Sequence, residues 1–206
     1  MSAMATERKT LRVLIAGFGG QGVLFLGKLI ALCGMSPERQ VTWLPSYGPE
    51  MRGGTANCAV ILSQEAIGSP IVSEPDVLIA MNLPSFQAYQ HKVASGGRII
   101  YDSALVGDAP ARADIAYDAL PATKTASENG LEGLGNMILF GRFLRECLPL
   151  EEAEILAAVE QLIPEHKKHL LEANRKAIAL GKEHSYNNTV DLINKRSVEE
   201  KTRYAG

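Results

Sequence analysis

The stretch "VLIAGFGGQGVLFLGKLIA", Val13 to Ala31, contains the pattern that most restricts how this chain can fold. A short apolar run, typical of a buried strand, ends in glycine and is followed by an apolar helical pattern. Between them Gly17, Gly19 and Gly22 match G-x-G-x-x-G, and Gly20 opens the turn further. Such a turn brings bare backbone to a helix N-terminus, where free N–H groups attract an anion. We therefore predict a strand–turn–helix unit with an anion-binding turn.

A dinucleotide site would need a second element. An acidic residue should end the next strand, about 20 residues on, to bind the ribose hydroxyls. Here that strand ends in "LPSY", Leu44 to Tyr47, and carries no carboxylate. A 2′-phosphate would need a cation nearby, which only Arg52 offers by folding back. The pattern thus disfavours NAD(P) and leaves two readings, a phosphate-bearing ligand or a tight packing turn.

The segment "PSYGPEMRGGTA", Pro45 to Ala56, is the most unusual in the chain, and function concentrates on such loops. By strand order it should leave the sheet at the same carboxyl edge as the glycine turn, where open α/β sheets bind ligands. Arg52 beside two glycines would clamp an anion, with Glu50 orienting it, or the pair would only brace the loop. Asp102-Ser103 would face the same crevice or cap a turn.

The candidate binding residues are Gly17, Gly19, Gly20, Gln21, Gly22, Ser46, Tyr47, Glu50, Arg52, Gly53 and Gly54. No catalytic residue and no metal ligand is predicted. Cys33, Cys58 and Cys147 are too few and too far apart to hold an iron–sulfur cluster alone, because such clusters usually need four thiolates. We expect them to be buried, reduced thiols.

Strand patterns alternate with helical patterns over most of the chain, which predicts a mostly parallel, Rossmann-like open α/β sheet with helices on both faces. Three helical patterns then predict an added C-terminal helical layer. The expected domain is 10–182, followed by a charged tail, 183–206, that is disordered or bound to a partner. The predicted strands are 12–16, 41–44, 55–63, 77–81, 98–101 and 113–117, and the main helices are 21–33, 83–95, 131–147, 151–163 and 165–181.

Composition narrows the function classes. The net charge is −2 and 46% of residues are hydrophobic, so the chain lacks the basic excess of a nucleic-acid binder. No apolar run approaches the roughly 20 residues that cross a bilayer. The first residues, "MSAMATERKT", lack a signal-peptide apolar region. We expect a cytoplasmic protein that binds neither nucleic acid nor membrane.

The two glycine-rich segments together resemble a known family. "GFGGQGVLFLGKLIA" joined to "SYGPEMRGGTANCAVILS" resembles the gamma subunit of 2-oxoacid:ferredoxin oxidoreductases. The similarity continues through "PDVLIAMN", "GGRIIYDS", "GLGNMILFGRFL" and "NRKAIALG" and covers residues 10–182. "GPEMRGGTANC" is most similar to the 2-oxoglutarate branch. The pyruvate and branched-chain branches stay open, and the indolepyruvate branch is less similar.

This resemblance implies oxidative decarboxylation of 2-oxoglutarate to succinyl-CoA, or the reverse, by a complex in which this chain caps the coenzyme A region. Alpha and beta subunits would hold thiamine diphosphate and Mg²⁺, and a [4Fe-4S] cluster would also lie outside this chain. Ferredoxin or a similar carrier would take the electrons. The isolated chain would hold no cofactor, would be inert, and could form a homodimer. The alternatives are a free-standing nucleotide-binding oxidoreductase and a scaffold protein.

Overall fold

The fold is built on one six-stranded sheet, seen in a computed structural model that describes residues 9–46, 55–107 and 112–184. The strand order is β2-β3-β1-β4-β5-β6. The strands are β1 (Thr10–Phe18), β2 (Gln40–Ser46), β3 (Thr55–Ser63), β4 (Val77–Ala80), β5 (Arg98–Asp102) and β6 (Ala116–Leu120). The α-helices are α1 (Val23–Gly34), α2 (Leu83–Tyr89), α3 (Ser103–Val106), α4 (Ala122–Glu128), α5 (Gly135–Cys147), α6 (Glu152–Leu162) and α7 (Leu171–Glu183). Two 3₁₀ helices cover Gln90–Lys92 and Glu165–Leu170.

The strand directions confirm the predicted mostly parallel sheet. β1, β4, β5 and β6 are parallel neighbours, whereas β3 runs antiparallel to both β1 and β2. β2 therefore points the same way as β1. The reversal of β3 has a simple cause: residues 47–54 are too few for a crossover, and a parallel connection needs about a dozen residues or more.

Helices cover both faces of the sheet, as predicted. On one face α1 and α5 pack on the strands, with α6 and α7 outside them, around residues such as Ile15, Leu26 and Phe140. On the other face α2 and α3 enclose a smaller cluster that includes Phe86 and Tyr101. All four residues of β4 are buried, as expected for a parallel strand covered on both sides.

α7 lies unusually close to α5 because two glycines meet at their contact. A Cβ added to Gly141 would overlap the carbonyl oxygen of Ile178, and one added to Gly181 would overlap that of Ile138. The backbones therefore touch directly. This contact fixes the predicted C-terminal helical layer onto the helix that lines the sheet.

The boundaries of several elements differ from the sequence predictions. The last strand is Ala116–Leu120 rather than 113–117, and α4 was not predicted at all. The helix predicted from residue 131 begins at Gly135, because Gly130 and Gly133 take positive φ values of 66° and 83°. The helix predicted at 165–181 divides into a 3₁₀ turn and α7, which continues to Glu183. Residues 185–206 of the predicted tail lie outside the described residues.

A buried network of charges joins β5 and β6 to α5. Arg98 Nη1 donates to Asp118 Oδ2, and Arg98 Nη2 lies 3.4 Å from Glu146 Oε2. Arg142 Nη1 donates to Glu146 Oε1 at 3.2 Å, and its Nη2 donates to the carbonyl oxygen of His184 at 2.5 Å. Burial raises the pKa of Asp118 above its ordinary value, against the opposing effect of Arg98. The network places two cations and two carboxylates between α5 and the strands β5 and β6, and it secures the end of α7.

Replacing Asp118 by Asn should destabilise the protein strongly. The change keeps the side-chain size but leaves buried Arg98 without its nearest counter-charge, which typically costs about 3 kcal/mol. Chemical denaturation of the full chain measures the difference. Asp114→Asn is the matched control, because Asp114 pairs with Arg112 at 2.6 Å on the surface and its loss should change stability little. Equal effects of the two substitutions would contradict a structural role for the buried network.

Candidate functional site

The glycine turn links the end of β1 to the start of α1. Its glycines differ in backbone conformation and in the space around them. Gly20 and Gly22 have φ values of 92° and 80°, a backbone conformation that residues with a side chain rarely adopt. A Cβ on Gly17 would lie 3.0 Å from Gln21 Oε1, Met81 Cβ and Val23 Cγ2, so this position requires close packing. Around Gly19 nothing lies within 4 Å of an added Cβ. The turn is therefore tight at its base and open at its tip.

Gln21 ties this turn to the neighbouring strand. Its Oε1 accepts hydrogen bonds from Phe18 N at 2.7 Å and from Asn82 Nδ2 at 2.8 Å. Its Nε2 donates to the carbonyl oxygen of Met81 at 3.1 Å. The sequence predicted Gln21 to line a binding surface, and the structure does place it on a cleft wall. Its amide, however, is engaged by the protein itself.

A cleft of about 250 Å³ opens beside the turn, at the carboxyl ends of β1, β4 and β5. Its lining comes from both halves of the chain and includes Gly20, Gln21, Met81, Asp102, Thr123 and Asn136. Asn136 packs so closely on Gly22 that a Cβ there would overlap its Nδ2. Neither α1 nor α5 has a side-chain hydrogen bond from its N-cap residue to its first N–H groups. The cleft therefore offers two helix N-termini and an apolar wall.

Asp102 is both a cleft residue and a helix cap, so the two readings of its sequence context hold together. Its Oδ1 accepts from Ala104 N at 3.1 Å, at the start of α3. Its Oδ2 accepts from Thr123 N at 2.9 Å and from Thr123 Oγ1 at 2.5 Å, at the start of α4. Because both oxygens are occupied, Asp102 shapes the cleft rather than serving as a free base.

The second loop begins and ends at the same sheet edge as the glycine turn. Ser46, the last residue of β2, and Ala16 of β1 are both paired with Asn57 of β3. Thr55, the first residue of β3, stands opposite Phe18. The loop thus leaves and rejoins the sheet beside the turn, as its strand order predicted. The candidates Tyr47, Glu50, Arg52, Gly53 and Gly54 lie outside the described residues.

The cysteines are suited to packing. Burial raises the pKa of Cys33 and of Cys58 to about 12, in Cys58 against a hydrogen bond to Trp43 that lowers it. Both are therefore neutral thiols at neutral pH, which are poor nucleophiles and poor metal ligands. Cys58 is buried, as expected, whereas Cys33 and Cys147 are half-buried. Within residues 9–46, 55–107 and 112–184, no three His, Cys, Asp or Glu side chains gather as a metal site would require. In the same segments no helix is both long and apolar enough to cross a membrane.

Sequence reasoning located the glycine side of the cleft and missed the opposite side. Thr123 and Asn136 come from the helical half of the chain, more than a hundred residues away from the turn. The one signal near them is the glycine-rich run "GLGN", Gly133 to Asn136, which indicates a loop before a helix. That signal gives no indication of which distant turn the loop approaches.

Replacing Gln21 by Ala should loosen the cleft and destabilise the protein. The substitution removes three hydrogen bonds and leaves the acceptor at Met81 and the donor at Asn82 without this partner. We expect a loss of about 2 kcal/mol in the free energy of unfolding. Denaturant titration measures it, with Gln87→Ala on the exposed side of α2 as the control. A Gln21→Ala protein as stable as that control would contradict the bracing role.

Comparison with known proteins identifies the family. The family model described as "Pyruvate ferredoxin/flavodoxin oxidoreductase" matches residues 12–184. The ketoisovalerate oxidoreductase subunit VorA of Methanothermobacter thermautotrophicus is 36% identical over 178 residues, which are 86% of this chain and 37% of that protein. The 2-oxoglutarate synthase subunit KorC of Methanothermobacter marburgensis is 36% identical over 141 residues, 65% of this chain and 75% of KorC.

The fold agrees with these relatives. The crystal structure of a keto/oxoacid ferredoxin oxidoreductase gamma subunit from Geobacter sulfurreducens PCA superposes with a TM-score of 0.70 at 26% identity. The match covers 83% of this chain and 95% of that one. The chain spans little more than a third of the length of the VorA relative. From the family match over residues 12–184, the chain belongs to the pyruvate ferredoxin/flavodoxin oxidoreductase family.

Proposed function

We propose that this chain is the gamma subunit of a 2-oxoacid:ferredoxin oxidoreductase. The complex would convert a 2-oxoacid and coenzyme A into an acyl-CoA, carbon dioxide and two electrons for ferredoxin, or run in reverse. The observation that carries the proposal is the family match over residues 12–184, joined by the fold shared with a gamma subunit. A cytoplasmic location, expected from the sequence, stays part of this proposal.

Within the complex, we propose that this chain binds coenzyme A and covers the coenzyme A region of the active site. The N–H groups at the start of α1 would meet a phosphate of coenzyme A at the open tip of the turn, near Gly19 and Gly20. Met81 and Leu139 would form the apolar side of the same cleft. Arg52, one of the loop candidates, would add a cation to this edge. Coenzyme A is a substrate here, and this chain positions it.

The carboxyl edge of the sheet has the surface expected of a subunit contact. Phe18, Leu83 and Leu105 stand there with 38%, 39% and 42% of their surfaces exposed. Asp102 at the end of β5 is charged, but residues 13–27, 77–90 and 103–107, which supply much of this edge, contain no charged side chain. Depletion of charge and exposure of large apolar groups are typical of the core of an interface. We propose that alpha and beta subunits cover this edge.

The cofactors are proposed to lie in those other subunits. Thiamine diphosphate would supply the carbanion chemistry and the [4Fe-4S] cluster the electron path. The cysteines of this chain do not fit a cluster site, because Cys33 and Cys58 are neutral thiols at separate places in the core. Mg²⁺ would be bound with the thiamine diphosphate, and ferredoxin would dock elsewhere on the complex.

The substrate is proposed as 2-oxoglutarate, with a branched-chain 2-oxoacid as the second candidate. The loop sequence favours the first and KorC is among the relatives. The second is favoured by VorA, whose match extends over 178 residues of this chain against 141 for KorC.

An assay of the assembled complex tests the activity and chooses between the substrates. Co-expression with the neighbouring subunits should yield a complex that reduces a ferredoxin or viologen acceptor when given coenzyme A and 2-oxoglutarate. Ketoisovalerate is the competing substrate in a parallel assay. The isolated chain is the control and should show no turnover. Turnover by the isolated chain, or a nicotinamide nucleotide bound tightly to it, would contradict the gamma-subunit proposal.

Arg52→Ala should weaken the use of coenzyme A by that complex. Removing a charged contact to a phosphate typically costs about 1.5–3 kcal/mol, which corresponds to a rise of roughly tenfold or more in KM. The KM for coenzyme A and the sedimentation of the complex should both be measured, because Arg52 could also serve assembly. Arg175→Ala, on α7 in an exposed pair with Glu152, is the control. If neither the KM for coenzyme A nor the assembly of the complex changes, the role proposed for Arg52 is contradicted.

A further inference from the structure

β2 forms one edge of the sheet, and no described strand pairs with its outer side. Among the described residues it pairs only with β3. None of its seven residues is buried, whereas β6 at the other edge has three buried residues out of five. A free edge presents a row of unpaired N–H and C=O groups, to which another strand can add.

The two edges differ in how they are protected. β6 is five residues long and turns the carboxylate of Asp118 inward against Arg98, a feature that discourages strand addition. β2 is seven residues long, "QVTWLPS", and contains no charged residue. Its one protective residue is Pro45, near its end. Of the two edges, β2 is therefore the one suited to pairing.

Apolar side chains stand beside β2 on both faces of the sheet. On the helical face an open hollow of about 490 Å³ runs between α1 and the strand, lined by Ala31, Met35, Ser36, Arg39, Val41 and Trp43. Met35 is 64% exposed there. On the opposite face Leu44 is 39% exposed. A strand with apolar groups on both faces has the character of an interior strand rather than of an edge.

We propose that β2 pairs antiparallel with β2 of a second copy of this chain, which joins two six-stranded sheets across a two-fold axis. Antiparallel pairing of a strand with itself satisfies that symmetry, because each copy presents the same groups to the other. Pairing would cover Gln40 to Leu44, since Pro45 has no N–H to donate. This surface is separate from the carboxyl-edge cleft, so the inference does not rest on the proposed function.

The charges and helices permit this arrangement. With Thr42 at the axis, the two copies of Arg39 would be about 20 Å apart along the strands. That separation exceeds the Debye length of about 8 Å at physiological salt, so their repulsion is screened. α1 lies directly over β2, where Lys28 Nζ is 5.1 Å from the centre of the Trp43 ring. The axis would set both α1 helices on the same face, with the hollows beside Met35 turned toward each other.

Sedimentation of the full chain over a range of concentrations tests the proposal. We expect a dimer that dissociates on dilution. Met35→Lys and Leu44→Lys each place a charge in the proposed contact and should raise the dissociation constant about tenfold or more, equivalent to about 1.4 kcal/mol. Leu170→Lys is the control, because Leu170 is 36% exposed and lies in the 3₁₀ turn of the helical layer. Circular dichroism verifies that each variant is folded.

The single tryptophan gives a readout that needs no variant. Trp43 lies on β2 in the hollow, so its quenching by acrylamide should increase as the dimer is diluted. Amide exchange of β2 should be slow in the dimer and fast in the dilute protein. A chain that is monomeric at every concentration overturns the proposal, as does a dimer that neither substitution weakens. Slow exchange of β2 in the monomer also overturns it, because another segment, such as 185–206, would then cover the edge.

Discussion

Close contact around the β1–α1 turn determines both the fold and the cleft. Gln21 bonds to the backbone at the ends of two neighbouring strands, and Gly22 admits Asn136 at the start of α5. The turn is thereby held between β4 on one side and α5 on the other. A side chain at Gly17 or Gly22 would collide with its neighbours, so packing alone requires glycine at these two positions. Packing therefore accounts for part of the pattern that resembles a dinucleotide-binding turn. The tip at Gly19 and Gly20 has no such contact, since nothing lies within 4 Å of a Cβ added at either glycine.

Most of the sheet could be predicted because its inner strands have an unambiguous pattern. β1, β3, β4 and β5 are apolar runs bounded by glycine, proline or polar residues, and three of their predicted ranges lie within one residue of the observed ends. β6 was placed three residues too early, at 113–117, and the observed strand carries the carboxylate of Asp118 in its middle. This buried carboxylate is paired with Arg98, a contact that follows from the three-dimensional arrangement and not from the local sequence.

The antiparallel direction of β3 could have been predicted from the length of the segment before it. Strand alternation with helices suggested parallel neighbours, yet the short segment 47–54 does not allow a crossover. The candidate site shows the opposite situation. Gly20 and Gln21 were found from their pattern, whereas Thr123 and Asn136 reach the cleft through packing between elements distant in sequence. Local periodicity contains no information about contacts between elements that are distant in sequence. About half of the residues that line the cleft could therefore not be predicted from the sequence.

α5 connects the two ends of the molecule, and its composition changes along its length. Near its C-terminus Arg142 and Glu146 join the buried charges that fix it to β5 and β6. At its N-terminus Asn136 contacts the glycine turn. Arg142 and Glu146 follow Asn136 by six and ten residues, so the charged anchor and the cleft are separated by about 9–15 Å along the helix. Because the anchor and the Gly141–Gly181 contact hold the helix in place, Asn136 is positioned by the core rather than by a ligand. The described residues that line the cleft are thus held by contacts within the protein, so a ligand that bound there would lose little free energy to ordering of the protein.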